Sequence, residues 1–222
     1  MKKLLLVAFL GLSPFINAQV TKNIGDFTTI RVFDKINVTL IKSSENKIVI
    51  KGSNADNVEV ITKNNDLKIR MKLTELLQGD NVEATVYYKN IDQVEASEGS
   101  YVGSSDTFKS TAFEVSTKEG STIKLILDVQ KLKSKAASGG ILELSGTASN
   151  HDLTITSGGI LKGKSLTTAQ TTVAVNAGGE ADIYATDFVD AKTRAGGDIN
   201  VYGNPKQVNQ KKVAGGSINV IK

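Results

Sequence analysis

From residue 24 onward, apolar and polar residues alternate along most of the chain, which is typical of β-strands with one buried face. In the second half, pairs of small residues interrupt this alternation at nearly constant intervals. The second members of successive pairs are 21, 19, 19, 20, 18 and 19 residues apart. The seven pairs are Gly99-Ser100, Gly120-Ser121, Gly139-Gly140, Gly158-Gly159, Gly178-Gly179, Gly196-Gly197 and Gly215-Gly216. Repeats of this length predict a solenoid in which each repeat forms one coil.

The residues around each pair predict the layout of a coil. Apolar residues recur two positions after the pairs, at Val102, Ile123, Leu142, Leu161, Ala181, Ile199 and Ile218. We predict a strand after each pair, a polar bend, and a second short strand before the next pair, with glycine supplying positive φ or close approach at the corner. The fold class is therefore all-β, a parallel β-helix with about seven short coils over residues 96–222. Gln210 and Lys212 replace apolar residues in the last repeat and predict a capping coil.

Residues 24–95 are also rich in predicted strands but show no clear repeat. Segments such as 36–40 and 67–71 alternate, and the breaks between segments are polar turns. This portion suits either a sandwich or a looser start to the same solenoid. Because no Pro-, Gly- or Ser-rich linker follows it, we predict one continuous domain over residues 19–222, with a seam near residues 91–96.

Residues 1–18 have the parts of a secretory signal peptide. Lys2 and Lys3 precede an apolar run over residues 4–12, and a small residue, Ala18, follows at the expected distance. The run is too short to cross a bilayer, which needs about 20 residues. We predict cleavage between Ala18 and Gln19, which delivers the protein to the periplasm or the cell surface.

Composition excludes several kinds of chemistry. The sequence has no cysteine and one histidine, which removes disulfides, thiol nucleophiles and multi-histidine metal sites, so we expect no metal and no cofactor. Without Lys2 and Lys3, the chain has 25 basic and 23 acidic residues, which gives a formal charge of +2. No basic stripe interleaved with aromatic residues is present, so nucleic acid is not an expected partner. No second apolar stretch long enough to span a membrane follows the leader.

The sequence resembles a family of secreted proteins, the putative auto-transporter adhesin, head GIN domain family. The resemblance rests on residues 33–38 (FDKINV), on residues 67–71, and above all on residues 196–205 (GGDINVYGNP), echoed by residues 215–220. It covers nearly the whole chain after the leader. The family implies a right-handed parallel β-helix and an adhesin-like role at the cell surface or in the periplasm. It implies no catalytic residues.

Two pairs of residues are candidates for a ligand-binding face. Glu98 and Glu119 occupy the same position in adjacent repeats, and paired carboxylates are what glycoside hydrolysis needs. Tyr184 and Tyr202 lie one coil apart and fit either a stabilising tyrosine ladder or a sugar-binding strip. His151 lies in the segment Ser149 to Asp152, where we predict a surface bend, and no nucleophile elbow accompanies it.

The sequence therefore predicts an exported, non-enzymatic module that is adhesin-like or acts as an envelope scaffold. It would bind an envelope or extracellular partner, such as a glycan or a surface protein, through a polar face of the β-helix. The alternative is a β-helix protein that binds or cleaves polysaccharides.

Overall fold

The computed structural model describes residues 19–222, which form strands joined into one 16-stranded sheet. Three short 3₁₀ turns, Ala55–Asn57, Leu73–Glu75 and Gly79–Asn81, accompany the strands. The strands are β1 (Gln19–Asn23), β2 (Thr29–Val32), β3 (Asn37–Lys42), β4 (Lys47–Lys51), β5 (Val58–Lys63), β6 (Asp66–Met71), β7 (Glu83–Tyr88), β8 (Gln93–Ala96), β9 (Tyr101–Thr117), β10 (Thr122–Ala137), β11 (Ile141–Thr156), β12 (Ile160–Asn176), β13 (Glu180–Arg194), β14 (Asp198–Tyr202), β15 (Gln207–Val213) and β16 (Ser217–Val220).

Strands β9 to β13 pair in parallel, each with the next, and confirm the predicted solenoid, which has about seven turns. The prediction of two short strands per repeat was wrong for β9 to β13, because each of these coils is one continuous strand of 15 to 17 residues. It holds for the next repeat, where β14 and β15 are separate short strands. A polar bend lies within each of the strands β9 to β13. In the ladder between β10 and β11, only the pair Gln130 and Ser149 is skipped there, and pairing resumes at Lys131 and Asn150. The bend turns the strand without ending its hydrogen-bond ladder.

The small-residue pairs mark tight turns between coils, and glycine is needed there for two different reasons. At Gly158, φ is +75°, while nothing lies within 4 Å of where a Cβ would be. At Gly159, a Cβ would lie 2.4 Å from the carbonyl oxygen of Ala136 in the preceding coil. The first glycine is therefore needed for the left-handed backbone conformation, and the second allows close contact between coils.

The first half of the chain belongs to the same sheet as the coils. Strand β2 pairs in parallel with both β6 and β8, and β3 pairs in parallel with both β7 and β9. Strands β2 and β3 thus form a layer between two layers that come later in the sequence. Strands β1, β4 and β5 add antiparallel pairings at this end of the solenoid.

Strands β15 and β16 form the opposite end. Gln210 pairs with the buried Ala191 and Lys212 with the buried Thr193, so both lie at inward positions, yet both are exposed because the described chain places no coil beyond them. This placement agrees with a capping coil. Among residues 19–222, no helix has the length and apolar character needed to cross a membrane.

Candidate functional site: a polar face across the coils

An outward-facing column of polar residues crosses six coils, one residue from each strand. In successive coils Lys124 pairs with Glu143, Glu143 with Lys162, and Lys162 with Asp182. The column continues through Asn200 to Asn219. These side chains point outward because their neighbours in sequence, such as Leu142 and Leu144, fill the core. We call this column and the groove beside it the polar face.

Contacts between neighbouring coils hold the column in order. Lys162 Nζ lies 2.8 Å from Glu143 Oε1, and Lys124 Nζ lies 3.9 Å from Glu143 Oε2. Asn200 Nδ2 donates to Asp182 Oδ1 at 3.0 Å, and Asn219 Nδ2 donates to Asn200 Oδ1 at 3.0 Å. Exposed ion pairs of this kind add about 0–1 kcal/mol each to stability. Their effect is to fix charges of alternating sign at the spacing of the coils.

A shallow groove of about 740 Å³ runs along the column. Its walls combine hydroxyl, ammonium, carboxylate and aromatic groups, among them Thr39, Tyr101, Ser145, Lys164 and Ser165. Such a lining can donate and accept hydrogen bonds along an extended ligand. The lining of the groove contains neither a histidine nor a cysteine.

Tyr184 and Tyr202 are direct partners in the ladder between β13 and β14. Both are half-buried. Lys164, which lines the groove, places Nζ 4.6 Å from the centre of the Tyr202 ring. The Tyr184 ring lies against Gly203, where a Cβ would be 2.8 Å from Cε1. Within residues 19–222, the stacked aromatic rings are those of Tyr88 and Phe108, 5.3 Å apart.

Glu98 and Glu119 lie elsewhere, in the tight turns of adjacent coils. Both have positive φ, and the backbone N–H of Gly99 donates to the Glu119 carbonyl at 2.9 Å. Ser97 Oγ donates to Glu119 Oε2 at 2.7 Å. Burial raises the pKa of Glu98, and the nearby carboxyl of Asp34 adds to that rise. The structure thus brings the two glutamates into neighbouring turns, away from the polar face.

His151 corrects an expectation, because it is buried and not part of a surface bend. Its Nε2 lies 2.6 Å from Ser134 Oγ, and burial lowers the pKa of His151 to about 4. Counting along the ladder would have found this, since His151 pairs with the inward-facing Leu132. Within the described chain no carboxylate hydrogen-bonds to His151, and Ser134 is itself buried, so the pair lacks the orienting acid of a hydrolase triad.

The sequence profile of the putative auto-transporter adhesin, head GIN domain family matches residues 26–205, which is most of the chain. The protein belongs to this family. No curated protein matches the sequence.

Solved structures show the same fold. A putative adhesin from Bacteroides fragilis NCTC 9343 superposes with a TM-score of 0.85 at 20% identity, covering 95% of this chain and 100% of its own. A putative adhesin from Parabacteroides distasonis ATCC 8503 gives 0.73 at 18% identity, covering 91% and 96%. A putative lipid binding protein from the same strain gives 0.70 at 16% identity, covering 94% and 98%. The structures share the fold, and the family supports an adhesin-like role.

Proposed function

We propose that this head GIN protein is an exported, non-enzymatic binding module that holds an envelope or extracellular partner on its polar face. The observation that carries the proposal is the column from Lys124 to Asp182, with charges of alternating sign, one residue per coil, beside a groove of about 740 Å³.

The geometry of the column favours an extended partner. Coils stack about 4.8 Å apart, so a ligand lying along the solenoid axis meets a new polar side chain at every step of that length. Because the scaffold is a rigid sheet, binding orders little of the protein, which favours affinity from many modest contacts. A glycan chain or an extended segment of a surface protein fits this description.

A charge-reversal experiment tests the face. We expect the double variant Lys124→Glu and Lys162→Glu to lose about tenfold or more of its binding to whole cells or to isolated envelope glycans, because it leaves four adjacent acidic residues in the column. The matched control is Lys133→Glu, which is as exposed but lies on another side of the solenoid, beside Glu114. Equal binding by the double variant and the control would contradict the proposal.

Polysaccharide binding is a second candidate, favoured by the placement of Tyr184 beside Tyr202 in the ladder. If it is correct, Tyr184→Ala with Tyr202→Ala loses retention on immobilised glycans while circular dichroism stays unchanged. Polysaccharide cleavage would need Glu98 and Glu119 as its acid pair. An activity that survives Glu98→Gln and Glu119→Gln rules out that assignment.

Export is part of the proposal. Family membership and the basic-apolar pattern before Ala18 support it, although residues 1–18 lie outside the described part of the chain. A cleavable tag placed after Lys222 distinguishes the two destinations. Loss of the tag when intact cells are treated with protease indicates a surface adhesin, while loss only after the outer membrane is opened indicates a periplasmic scaffold. Recovery of the protein from the cytoplasm, with residues 1–18 still attached, would contradict export.

A further inference from the structure

Three exposed leucines lie together in the loop of residues 72–79, between β6 and β7, which we call the leucine loop. Leu73 is 70% exposed, and Leu76 and Leu77 are each 49% exposed. The other large apolar side chains exposed in residues 19–222 are spread over several strands and the C-terminal end. Exposed apolar side chains gathered at one point mark a contact with something apolar more often than singly scattered ones do.

The leucine loop is fixed in place by a buried carboxylate. Asp34, which is 2% exposed, accepts the backbone N–H of Met71 through Oδ2 at 3.0 Å and that of Leu77 through Oδ1 at 3.1 Å. Its carbonyl oxygen accepts the N–H of Gly79 at 3.1 Å. The loop is therefore held at its start, near its tip and at its end.

One residue of the leucine loop, Leu77, also has a strained backbone conformation. Leu77 has a φ of +61°, a left-handed conformation that a branched side chain rarely adopts. Asn54 Nδ2 donates to the carbonyl of Gln78 at 3.1 Å and helps to hold this conformation. Strain that surrounding contacts impose is a reason to look for function. Here the contacts keep the leucines outside the core.

The shape and size of the patch favour insertion over a flat interface. Three side chains are too small a surface for a stable protein dimer, which buries about 800 Å² on each partner. An exposed apolar loop near one end of the solenoid can instead enter the interfacial region of a bilayer, where apolar side chains leave water at shallow depth.

We propose that the leucine loop inserts into a lipid bilayer surface and seats this end of the solenoid on the membrane. The polar face, which runs along the side of the solenoid, stays open to its partner. The charges in and beside the loop are mixed, with Lys72 and Glu75 inside it and Lys35 paired with Asp80 at 3.4 Å next to it, so the contact does not require anionic lipid. This proposal does not rest on the polar face, and either can fail alone.

Binding to phosphatidylcholine vesicles, measured by sedimentation of the processed protein, tests the proposal. We expect the wild type to bind and the variant with Leu73→Gln, Leu76→Gln and Leu77→Asn to bind about tenfold or more weakly, because the apolar contact is lost. Asn tolerates the left-handed conformation at residue 77, so the fold is kept. The matched control, Val220→Gln with Ile221→Gln, removes apolar side chains that are 38% and 41% exposed at the other end. It should bind like the wild type.

A fluorescence measurement gives the depth of insertion. The sequence has no tryptophan, so Leu76→Trp introduces a single reporter without background. We expect its emission to shift to shorter wavelength with vesicles and to be quenched by brominated lipid, while Val220→Trp shows neither change. A wild type that ignores vesicles, a triple variant that still binds, or an unquenched Leu76→Trp overturns the proposal. Loop-dependent capture of an envelope protein without vesicle binding would also overturn it and indicate a protein pocket.

Discussion

At the scale of single residues, the core tolerates polar groups where each finds a partner inside the solenoid. His151 is the clearest case, because an ionisable ring is placed at an inward position and paired with Ser134. Ser121 is another, since its buried hydroxyl donates to the carbonyl of Ala96 in the preceding coil at 2.7 Å. In the described part of the chain, buried side-chain nitrogen and oxygen atoms are hydrogen-bonded, apart from Arg31 Nε and Asp66 Oδ1. These two side chains are partly exposed and form an ion pair, with Arg31 Nε 3.0 Å from Asp66 Oδ2.

Buried His151 makes stability depend on pH. Its pKa is about 4 when folded against an ordinary value of 6.5, so its contribution is complete above pH 6.5 and is lost as the pH falls toward 4. We expect wild type to lose up to about 3 kcal/mol more than His151→Gln between pH 7.5 and pH 4. Urea unfolding at both pH values measures the difference. Parallel losses in the two proteins would show that His151 is not the group responsible.

At the scale of the element, the turn between coils carries most of the sequence signal. The spacing of small-residue pairs predicted the coils, and it predicted that their glycines have positive φ or allow close approach, because only a few residue types fit such a turn. The continuous strand of each coil could not be read in the same way. Polar residues such as Gln130 and Lys131 look like the end of a strand, and only the neighbouring coils show that pairing resumes after one residue.

The two glycines of one turn should respond differently to the same substitution. At Gly158, alanine adds only the strain of a left-handed backbone, about 1 kcal/mol. At Gly159, the added methyl meets the Ala136 carbonyl and forces two coils apart, which we expect to cost about 2–3 kcal/mol. Denaturant unfolding of Gly158→Ala and Gly159→Ala compares them. Equal losses would mean that coil contact is not what requires the second glycine.

The candidate sites show the same limit of sequence reasoning. From the equal spacing of the repeats, the sequence predicted that Tyr184 lies beside Tyr202 and Glu98 beside Glu119. In the structure the two tyrosines are strand partners, and the two glutamates lie in neighbouring turns. The polar face was only partly visible, because its residues are ordinary surface types whose alignment over six coils depends on the register. The exposure of the leucine loop could not be predicted from the sequence, since Leu73, Leu76 and Leu77 have the spacing of a buried helical turn. Their exposure depends on Asp34, which is about 40 residues away in sequence.

At the scale of the whole molecule, the two ends of the solenoid are closed differently. Antiparallel strands β1, β4 and β5 cover one end. At the other, β15 pairs only with β13 within the described chain, and its outer edge carries Lys211 and Lys212. Charged side chains on an exposed strand edge discourage pairing with a second copy.

Removing these charges should let copies associate end to end. We expect Lys211→Thr with Lys212→Val to raise the apparent mass in light scattering at concentrations where the wild type shows one species, because an uncharged edge accepts another strand. Lys133→Thr with Lys135→Thr, in the C-terminal part of β10, removes the same charge from a strand that is paired on both sides and serves as the control. Unchanged mass for the edge variant would show that other features protect this end.

The layer formed by β2 and β3 has a consequence for the time course of folding. Its partners are β6 to β9, so Thr29 must find Asp66 and Gln93, and Asn37 must find Glu83 and Tyr101. A chain made from its N-terminus therefore leaves β2 without a partner for 37 residues and β3 for 46, and the second partner of each strand arrives only after 64. Closing such distant contacts is slow relative to adding one coil to the next. Each later coil can add to the coil made just before it, so the slow step of folding lies in the N-terminal portion of the protein.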